Sequence, residues 1–255
     1  MGTKHGLSLR GIAESNIRLL LRPNPGDGFI VGLDETGENL VVVCWIIGVD
    51  PKTRNRVFGY ESGRIFTDVA DSSKPVDQSL LYNVMHEFVG LDFTSGVVMV
   101  CVVGNGDQTD KVIADCSKHS FFEIMNSCTY KPDLTNTLRI TAVSSWFEGE
   151  PYRQMSILRK SVWSDKCNRN LYEINDVGKG FGYCLTTFSG GGFGTQPPFG
   201  GEPYLLPLEG GINDIAEEYW EMLDSENKVA LAVKFIPRDP DDVISFRIKN
   251  KLPKI

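Results

Sequence analysis

A polar turn between an apolar segment and a helical pattern is the strongest candidate for chemistry in this sequence. It reads Asn105-Gly106-Asp107-Gln108-Thr109-Asp110. The apolar segment Val97–Val103 predicts a strand before it, and Lys111–Met125 predicts a helix after it. A strand end that meets a helix start favours ligand binding, because free backbone N–H groups and the positive helix end lie there. An isolated turn would favour a helix cap by Asp107 or Thr109, but five polar side chains within six residues exceed what a cap needs.

A basic segment supports the same interpretation. It reads Lys52-Thr53-Arg54-Asn55-Arg56-Val57-Phe58 and follows the apolar run Leu40–Val49, which predicts a buried strand. Three cations within five residues are a local exception in a chain of net charge −7. Guanidinium groups suit the capture of a phosphate or of a developing oxyanion through paired hydrogen bonds. Alone, this segment would favour a solvated hairpin turn, but together with the polar turn it indicates a site.

Length and composition predict a single domain that spans residues 1–255. With 255 residues and 41% hydrophobic side chains, the chain can bury a substantial core, and no linker or repeat divides it. Its apolar runs are too short to span a membrane, and the N-terminus lacks an apolar signal core. These features predict a cytoplasmic protein without a membrane partner. The acidic balance and the absence of a basic stripe argue against nucleic acid as a partner.

Neither a metal site nor a dinucleotide site is predicted. Cys116 and His119 share helical spacing, but the chain has only three histidines, which makes a zinc site improbable. The run Gly190–Gly194 lacks the third glycine of a dinucleotide-binding turn and precedes two prolines, which favours a loop that could cover a site. We therefore predict chemistry that needs no cofactor.

Periodicity predicts an α+β protein in which helices cover sheets. Helical spacing occurs at Leu80–Phe88, at Val112–Ile124 and at Ile212–Leu223. Strand-like segments are more numerous: Phe29–Leu33, Leu40–Val49, Gly63–Thr67, Val97–Gly104, Leu138–Phe147, Arg153–Val162, Gly182–Ser189, Lys228–Ile236 and Val243–Ile248.

With these residues in view, the chain resembles the IMP cyclohydrolase-like family, which includes the archaeal-type IMP cyclohydrolase of purine biosynthesis. The matching segments occur in family order and span about residues 22–236, and the polar turn is the most specific of them. The others are Arg54-Asn55-Arg56-Val57-Phe58, Leu81-Tyr82-Asn83, Leu138-Arg139-Ile140, Gly182-Tyr183-Cys184-Leu185-Thr186-Thr187, Gly201-Glu202-Pro203 with Pro207-Leu208, and Val229–Ile236.

The resemblance implies a four-layer αββα sandwich like that of N-terminal-nucleophile hydrolases, but without their nucleophile. Thr3 follows Gly2 in a polar leader, with no apolar strand behind it. The implied reaction closes the purine ring of 5-formamidoimidazole-4-carboxamide ribotide: the carboxamide nitrogen attacks the formyl carbon, water leaves and IMP forms. Such a site must fold the formyl group onto the amide, stabilise an oxyanion and move protons. The implied partner is a small purine ribotide, and the oligomeric state, a homo-oligomer included, is left open.

On this resemblance, four residues are candidates for catalysis. Arg54 would stabilise the oxyanion, because a guanidinium stays charged and can donate two hydrogen bonds. Asn105 would orient the carboxamide with its planar amide. Asp107 or Glu202 would accept and return protons. An exposed loop carboxylate is the alternative interpretation of Glu202.

Five further residues are candidates for substrate binding. Gln108 would orient the carboxamide together with the preceding asparagine. Arg56 and Arg139 would bind the phosphate, although Arg139 could equally be a strand residue in an ion pair. Thr109 and Asp110 complete the polar turn.

Four positions depart from the family pattern. Asn24 stands where the family usually has tyrosine, and Asp27, Val49 and His86 stand where it usually has arginine. The loss of three cations implies weaker phosphate binding. The alternatives are therefore a non-catalytic purine-nucleotide-binding paralogue, or a cyclohydrolase or amidohydrolase that acts on a different amide.

Overall fold

The chain forms two antiparallel sheets and five short helices, as a computed structural model describes it for residues 8–20, 25–75, 77–92, 96–133, 136–175, 178–189 and 198–254. The helices within these ranges are α1 (Leu9–Leu20), α2 (Pro51–Arg54), α3 (Gln108–Asp115), α4 (Phe121–Ser127) and α5 (Ile212–Met222). None of them is long and apolar enough to cross a membrane.

One sheet has six strands and the other has seven. In spatial order, the first consists of β11 (Tyr204–Pro207), β10 (Phe181–Thr186), β1 (Gly28–Leu33), β2 (Asn39–Ile47), β12 (Lys228–Pro237) and β13 (Ser245–Asn250). The second follows chain order: β3 (Arg56–Glu61), β4 (Arg64–Val69), β5 (Asn83–Asp92), β6 (Gly96–Gly104), β7 (Arg139–Phe147), β8 (Glu150–Lys160) and β9 (Cys167–Ile174).

The largest hydrophobic cluster contains residues of both sheets. Cys44 and Ala232 contribute to it from the six-stranded sheet, and Cys101 and Ile140 from the seven-stranded sheet. Their neighbours in sequence point to the opposite faces, because side chains alternate along a strand. These opposite faces form two further clusters, one with α1 and α5 and one with α3 and α4. Strands such as β2 therefore read as continuous apolar runs, since they are buried on both faces.

The predicted α+β class is confirmed, and each of the nine predicted strands overlaps an observed strand. The predicted helix Ile212–Leu223 is also confirmed as α5. The helix predicted over Lys111–Met125 is in fact two helices, because Ser120 starts α4 with a capping box that it forms with Glu123. The hairpin turn considered for the basic segment is instead the short helix α2, followed directly by β3.

The helix predicted over Leu80–Phe88 is wrong, since this segment enters β5. Ile65 pairs with Met85, but the next residue, Phe66, pairs with Asn83, so Val84 is an extra residue in the ladder. Both Val84 and Met85 consequently contribute to the core between the sheets. This β-bulge breaks the period of two, and the remaining apolar spacing resembles that of a helix.

Candidate functional site

Five polar residues lie close together at one end of the two packed sheets. Because neighbouring strands are antiparallel, β3, β5 and β7 begin at the same end of the seven-stranded sheet at which β6 ends. Arg56, Tyr82, Asn105 and Arg139 lie at these strand ends, and Asp27 directly precedes β1 of the other sheet. Asp27, Tyr82 and Asn105 line one small cavity of about 10 Å³, which has room for roughly one water molecule. We call these five residues the strand-end cluster.

Asp27 is held rigidly by its own turn. Its Oδ1 atom accepts a hydrogen bond from the backbone N–H of Ile47 at 2.8 Å. Gly26 has φ of 78°, and the indole of Trp45 donates to its carbonyl oxygen at 2.9 Å. A Cβ atom at Gly28 would lie 2.3 Å from the Trp45 ring, so only glycine fits there. The sequence Gly-Asp-Gly thus fixes where the carboxylate lies.

Burial governs the electrostatics of Asp27 and Tyr82. The Tyr82 hydroxyl donates to Oδ2 of Asp27 at 3.4 Å. Desolvation raises the pKa of Asp27, while the Arg56 charge and the hydrogen bonds to its carboxylate act in the opposite direction. Desolvation and the negative charge of Asp27 also raise the pKa of Tyr82, so its hydroxyl remains a proton donor at neutral pH. A carboxylate with a raised pKa next to a protonated phenol is suited to proton transfer.

Arg56 brings a buried positive charge to this pair. Its side chain is only 1% exposed. Nε donates to the carbonyl oxygen of Thr53 at 2.8 Å, and Nη2 donates to that of Ile47 at 3.0 Å. Nη1 is buried and has no hydrogen-bond partner among the described residues. A buried donor of this kind is costly unless a ligand or water satisfies it, which marks Arg56 as a functional candidate.

Asn105 anchors the polar turn to β7. Its Nδ2 group donates to the carbonyl oxygen of Leu138 at 2.7 Å, and its Oδ1 atom accepts from the backbone N–H of Ile140 at 2.9 Å. Gln108 donates to the same Oδ1 atom at 3.1 Å. The oxygen and one N–H of the Asn105 amide are therefore engaged by protein groups, and these contacts position the turn.

Arg139 and Asp107 form an ion pair at the rim of the turn. Nη2 of Arg139 lies 2.9 Å from Oδ1 of Asp107, and Nη1 donates to the carbonyl oxygen of Asn105 at 2.8 Å. The ion pair proposed as an alternative for Arg139 is thus present. Asp107 occupies the cap position of α3 without a side-chain cap hydrogen bond, so the capping interpretation is wrong.

In an extended chain, the side chains of Asn105 and Asp107 would lie on the same side, because they are two residues apart. In this protein they do not. The Asn105 side chain is buried, whereas that of Asp107 is 85% exposed. Asp107 has φ of −62° and ψ of −17°, so the chain has already left the extended conformation. Val102 points into the cluster beneath α3 and α4.

The remaining turn residues have different environments. Gln108 is buried, and its Oε1 atom has no described hydrogen-bond partner. Thr109 is fully buried, and its hydroxyl is likewise without a partner in the described part of the chain. Asp110 is exposed and accepts a hydrogen bond from the Asn83 amide. This bond joins the start of α3 to the start of β5.

Arg54 and Glu202 make their contacts elsewhere. Arg54 donates from Nε to the carbonyl oxygen of Gly48 at 2.9 Å and from Nη2 to Oδ1 of Asn227 at 2.8 Å. These two bonds engage its guanidinium in tying α2 to the loop before β12. Glu202 is exposed and lines a separate cavity of about 270 Å³ together with Phe199 and Tyr204. Their catalytic roles stay predictions.

Asp27 and Tyr82 are the candidates that sequence reasoning did not select. Tyr82 lies within a segment that resembles the family, but the sequence alone assigns it no role. Asp27 is recognisable from the sequence only as a departure from the family pattern. A carboxylate flanked by Gly26 and Gly28 immediately before an apolar strand was the signal that could have identified it.

Two predictions fall outside the described residues: the loop Gly190–Gly194 and the substitution at Asn24. Val49 and His86, two further departures from the family pattern, lie within the residues that the structure describes. Val49 is exposed in the turn before α2. His86 lies on β5, where burial lowers its pKa. In the described ranges, no group of three or more His, Cys, Asp or Glu side chains could hold a metal ion.

Gly106→Ala is expected to destabilise the turn. The added Cβ atom would lie 1.5 Å from Nη1 of Arg139 and 2.8 Å from Oε1 of Gln108, so the guanidinium must move. Overpacking of this kind costs about 1–3 kcal/mol. Urea denaturation measures the loss, with Gly200→Ala as the matched control, because a Cβ atom there meets only Arg159, at 3.6 Å. Equal stability of the two variants would contradict this packing.

The pH dependence of stability should report the raised pKa of Asp27. A carboxyl group whose pKa is higher in the folded state binds more protons there than when unfolded. Its contribution to stability is therefore complete below its unfolded pKa and is lost as pH rises through its folded pKa. The stability of Asp27→Asn relative to the wild type should thus increase as pH rises above about 4, the ordinary pKa of an aspartate, as urea denaturation would show. A relative loss would mean that the folded pKa is depressed.

A model of a known protein family matches most of the chain. The model of the family described as "IMP cyclohydrolase-like protein" matches residues 24–240. The matched region contains the whole strand-end cluster and every strand except β13. No curated protein matches the sequence.

Proposed function

This chain belongs to the IMP cyclohydrolase-like family, and from that membership we propose that it is a cyclohydrolase whose chemistry takes place at the strand-end cluster. In the proposed reaction, the carboxamide nitrogen of a formamidoimidazole carboxamide bonds to the formyl carbon. The formyl C–O bond then breaks and water leaves. The two protons of that water come from the carboxamide nitrogen and from the formamido nitrogen. The finer form of the proposal takes the ribotide as substrate and IMP as product.

The observation that carries this proposal is the arrangement of two partly buried residues, Asp27 and Tyr82, next to the fully buried Arg56. Ring closure needs a group that accepts a proton from nitrogen, a donor to the formyl oxygen and a positive charge near the developing oxyanion. The Asp27 carboxylate, whose pKa is raised by burial, suits the first task. The protonated Tyr82 hydroxyl suits the second, and the unpaired Nη1 donor of Arg56 suits the third.

For two of the roles predicted from the sequence, the structure favours different residues. Asp27 is favoured over Asp107 as the proton acceptor, because Asp107 is exposed and paired with Arg139. Arg56 is favoured over Arg54 for the oxyanion, because Arg56 interacts with Asp27 and has a buried Nη1 donor without a described partner, whereas Arg54 hydrogen-bonds to Gly48 and Asn227. Asn105 would act by positioning the turn. The water that forms at the formyl carbon would leave beside the small cavity, which has room for about one water molecule.

The fold proposed with this function is the four-layer αββα sandwich of N-terminal-nucleophile hydrolases. The order of the hydrophobic clusters supports it: one lies between the sheets, one beneath α1 and α5, and one beneath α3 and α4. Asp27 directly precedes β1, the first strand of this sandwich. This position is suited to holding a catalytic group at the end of the two packed sheets.

Ultraviolet absorbance of purified protein mixed with the formamidoimidazole carboxamide tests the proposal directly. Purine formation in the presence of EDTA is the expected result, since none of the proposed groups requires a metal. Activity that EDTA abolishes and zinc restores would contradict the cofactor-free mechanism. The absence of turnover with any form of the substrate would contradict the function itself.

A non-catalytic purine-binding paralogue is the second candidate. The replacement of family arginines by Asp27, Val49 and His86 favours it, because fewer cations remain to bind and activate a phosphorylated substrate. Calorimetry distinguishes the two: binding of a purine product without turnover of its precursor would support the paralogue. Measurable ring closure would exclude it.

A further inference from the structure

The turn that carries Asp27 is packed between two aromatic rings. A Cβ atom at Gly28 would lie 2.3 Å from the ring of Trp45, and a Cβ atom at Gly26 would lie 2.6 Å from the ring of Phe188. Neither position has space for a side chain, so each ring lies directly against the backbone of the turn. The Asp27 carboxylate therefore extends from a backbone that is confined on both sides.

Trp45 also satisfies a buried carbonyl group of this turn. Its indole N–H donates to the carbonyl oxygen of Gly26 at 2.9 Å, and Trp45 is only 1% exposed. A buried carbonyl that loses its donor costs free energy, so the turn would move until water or another donor reached it. The same strand supplies the backbone N–H of Ile47, which donates to Oδ1 of Asp27 at 2.8 Å. The position of the carboxylate thus depends on Trp45 and on the end of β2.

The Trp45 side chain reaches the turn from behind the six-stranded sheet. It belongs to the cluster beneath α1 and α5, whereas the adjacent residues Cys44 and Ile46 belong to the cluster between the sheets. Trp45 and Gly28 also line the small cavity beside Asp27. A shift of the indole or of the turn would therefore enlarge this cavity and admit more water next to the carboxylate.

We propose that Trp45 is a positioning residue, which fixes the Asp27 carboxylate at the strand-end cluster and limits its contact with water. The inference rests on the proposed function for its effect on ring closure. Desolvation is the largest cause of the raised pKa of Asp27, so a looser and wetter turn should lower this pKa. Other titratable groups interact with Asp27, and substituting Trp45 alters none of them: Arg56, Tyr82, Lys131 and Cys44.

Trp45→Phe tests the inference, and Trp146→Phe is its matched control. Both tryptophans are buried, and Trp146 likewise donates its indole N–H to a backbone carbonyl, that of Ile236, at 3.3 Å. Trp146 lies near the end of β7 that is opposite the cluster. Because each variant loses one indole and one hydrogen bond, the two should lose comparable stability in urea denaturation.

Only Trp45→Phe should lower the pKa of Asp27. Carbon-13 NMR of the aspartate carboxyl groups measures this pKa, with the Asp27 signal assigned through its absence in Asp27→Asn. The comparison with Trp146→Phe separates an effect on the turn from a general effect on folding. An unchanged pKa of Asp27 in Trp45→Phe, or an equal decrease in both variants, would overturn the inference.

Ring closure provides a second measurement. Trp45→Phe should lower kcat by about 10²-fold, the effect of a displacement of about 1 Å at a catalytic group. KM should stay within about twofold, since Trp45 acts through the turn and not on the substrate. The acid limb of the pH profile of kcat/KM should move to lower pH, because this limb reports the pKa of the proton acceptor in the free enzyme. An acid limb at the same pH as in the wild type would overturn the inference.

A measurement on the wild type covers the case in which Trp45→Phe does not fold. The NMR signal of the Trp45 indole N–H should shift with pH at the pKa of Asp27, because its hydrogen bond ties it to the Asp27 turn. The indole signal of Trp146 should not follow this titration. A Trp45 signal that does not respond to the titration of Asp27 would overturn the inference.

The outcomes separate the inference from the proposed function. A wild type without turnover, in which Trp45→Phe still lowers the pKa of Asp27, would overturn the function and leave the positioning role intact. Ring closure by the wild type, with an unchanged acid limb in Trp45→Phe, would overturn the positioning role and leave the function intact.

Discussion

Tyr82→Phe is expected to lower the rate of ring closure by about 10²–10⁴-fold, the usual contribution of one general acid or base. The variant removes the hydroxyl that donates to Asp27 but keeps the ring that lines the cavity. Its fold should be unchanged, since the phenylalanine ring fills the same space. The rate is measured by ultraviolet absorbance under single-turnover conditions, and the free energy of unfolding by urea denaturation.

Tyr152→Phe is the matched control for this prediction. Tyr152 lies on β8 near the hairpin Phe147–Glu150, at the opposite end of β7 from the cluster, and its ring contacts Phe147. Loss of its hydroxyl should leave the rate within about twofold, as expected of a residue that contacts no reacting group. Equal rates for Tyr82→Phe and the wild type would remove Tyr82 from the mechanism. Equal losses in both variants would indicate a general effect on folding.

Lys234→Met is expected to destabilise the protein by about 3–5 kcal/mol, the usual effect of breaking a buried ion pair. Lys234 is fully buried on β12, where its ammonium donates to the carbonyl oxygen of Gly63 at 2.9 Å and pairs with Glu87 of β5. The ion pair joins the two sheets. Without the lysine, the Glu87 carboxylate is left largely buried with no opposite charge. Urea denaturation measures the loss.

The double variant Lys234→Met/Glu87→Leu should recover most of that stability, because no unpaired charge then remains. Lys160→Met is the control for an exposed pair, since its partner Asp165 is 93% exposed. It should cost no more than about 1 kcal/mol. A loss for Lys234→Met as small as that for Lys160→Met would show that the buried pair adds little to stability. Failure of the double variant to recover would assign the loss to packing.

Much of the fold could be predicted from local patterns. Segments of five to ten residues predict nine strands that the structure contains, and strands buried on both faces, such as β2, leave a continuous hydrophobic run. Helix α5 was equally readable from its apolar face. The segment before β5 was not, since the bulge at Val84 depends on pairing with β4. A local pattern carries no information about such a partner.

The site divides in the same way. The family, the polar turn and the basic segment that follows β2 can all be read from the amino-acid sequence. Which of their side chains meet depends on the folded chain: Arg56 lies near Asp27 and Tyr82, whereas Arg54 hydrogen-bonds to Asn227. The cluster forms from the ends of strands that are far apart in sequence, and no local pattern encodes which of those ends come together. Their proximity follows from strand pairing within each sheet and from the packing of one sheet on the other, and the resulting burial, which shifts the pKa of Asp27, exists only in the folded chain.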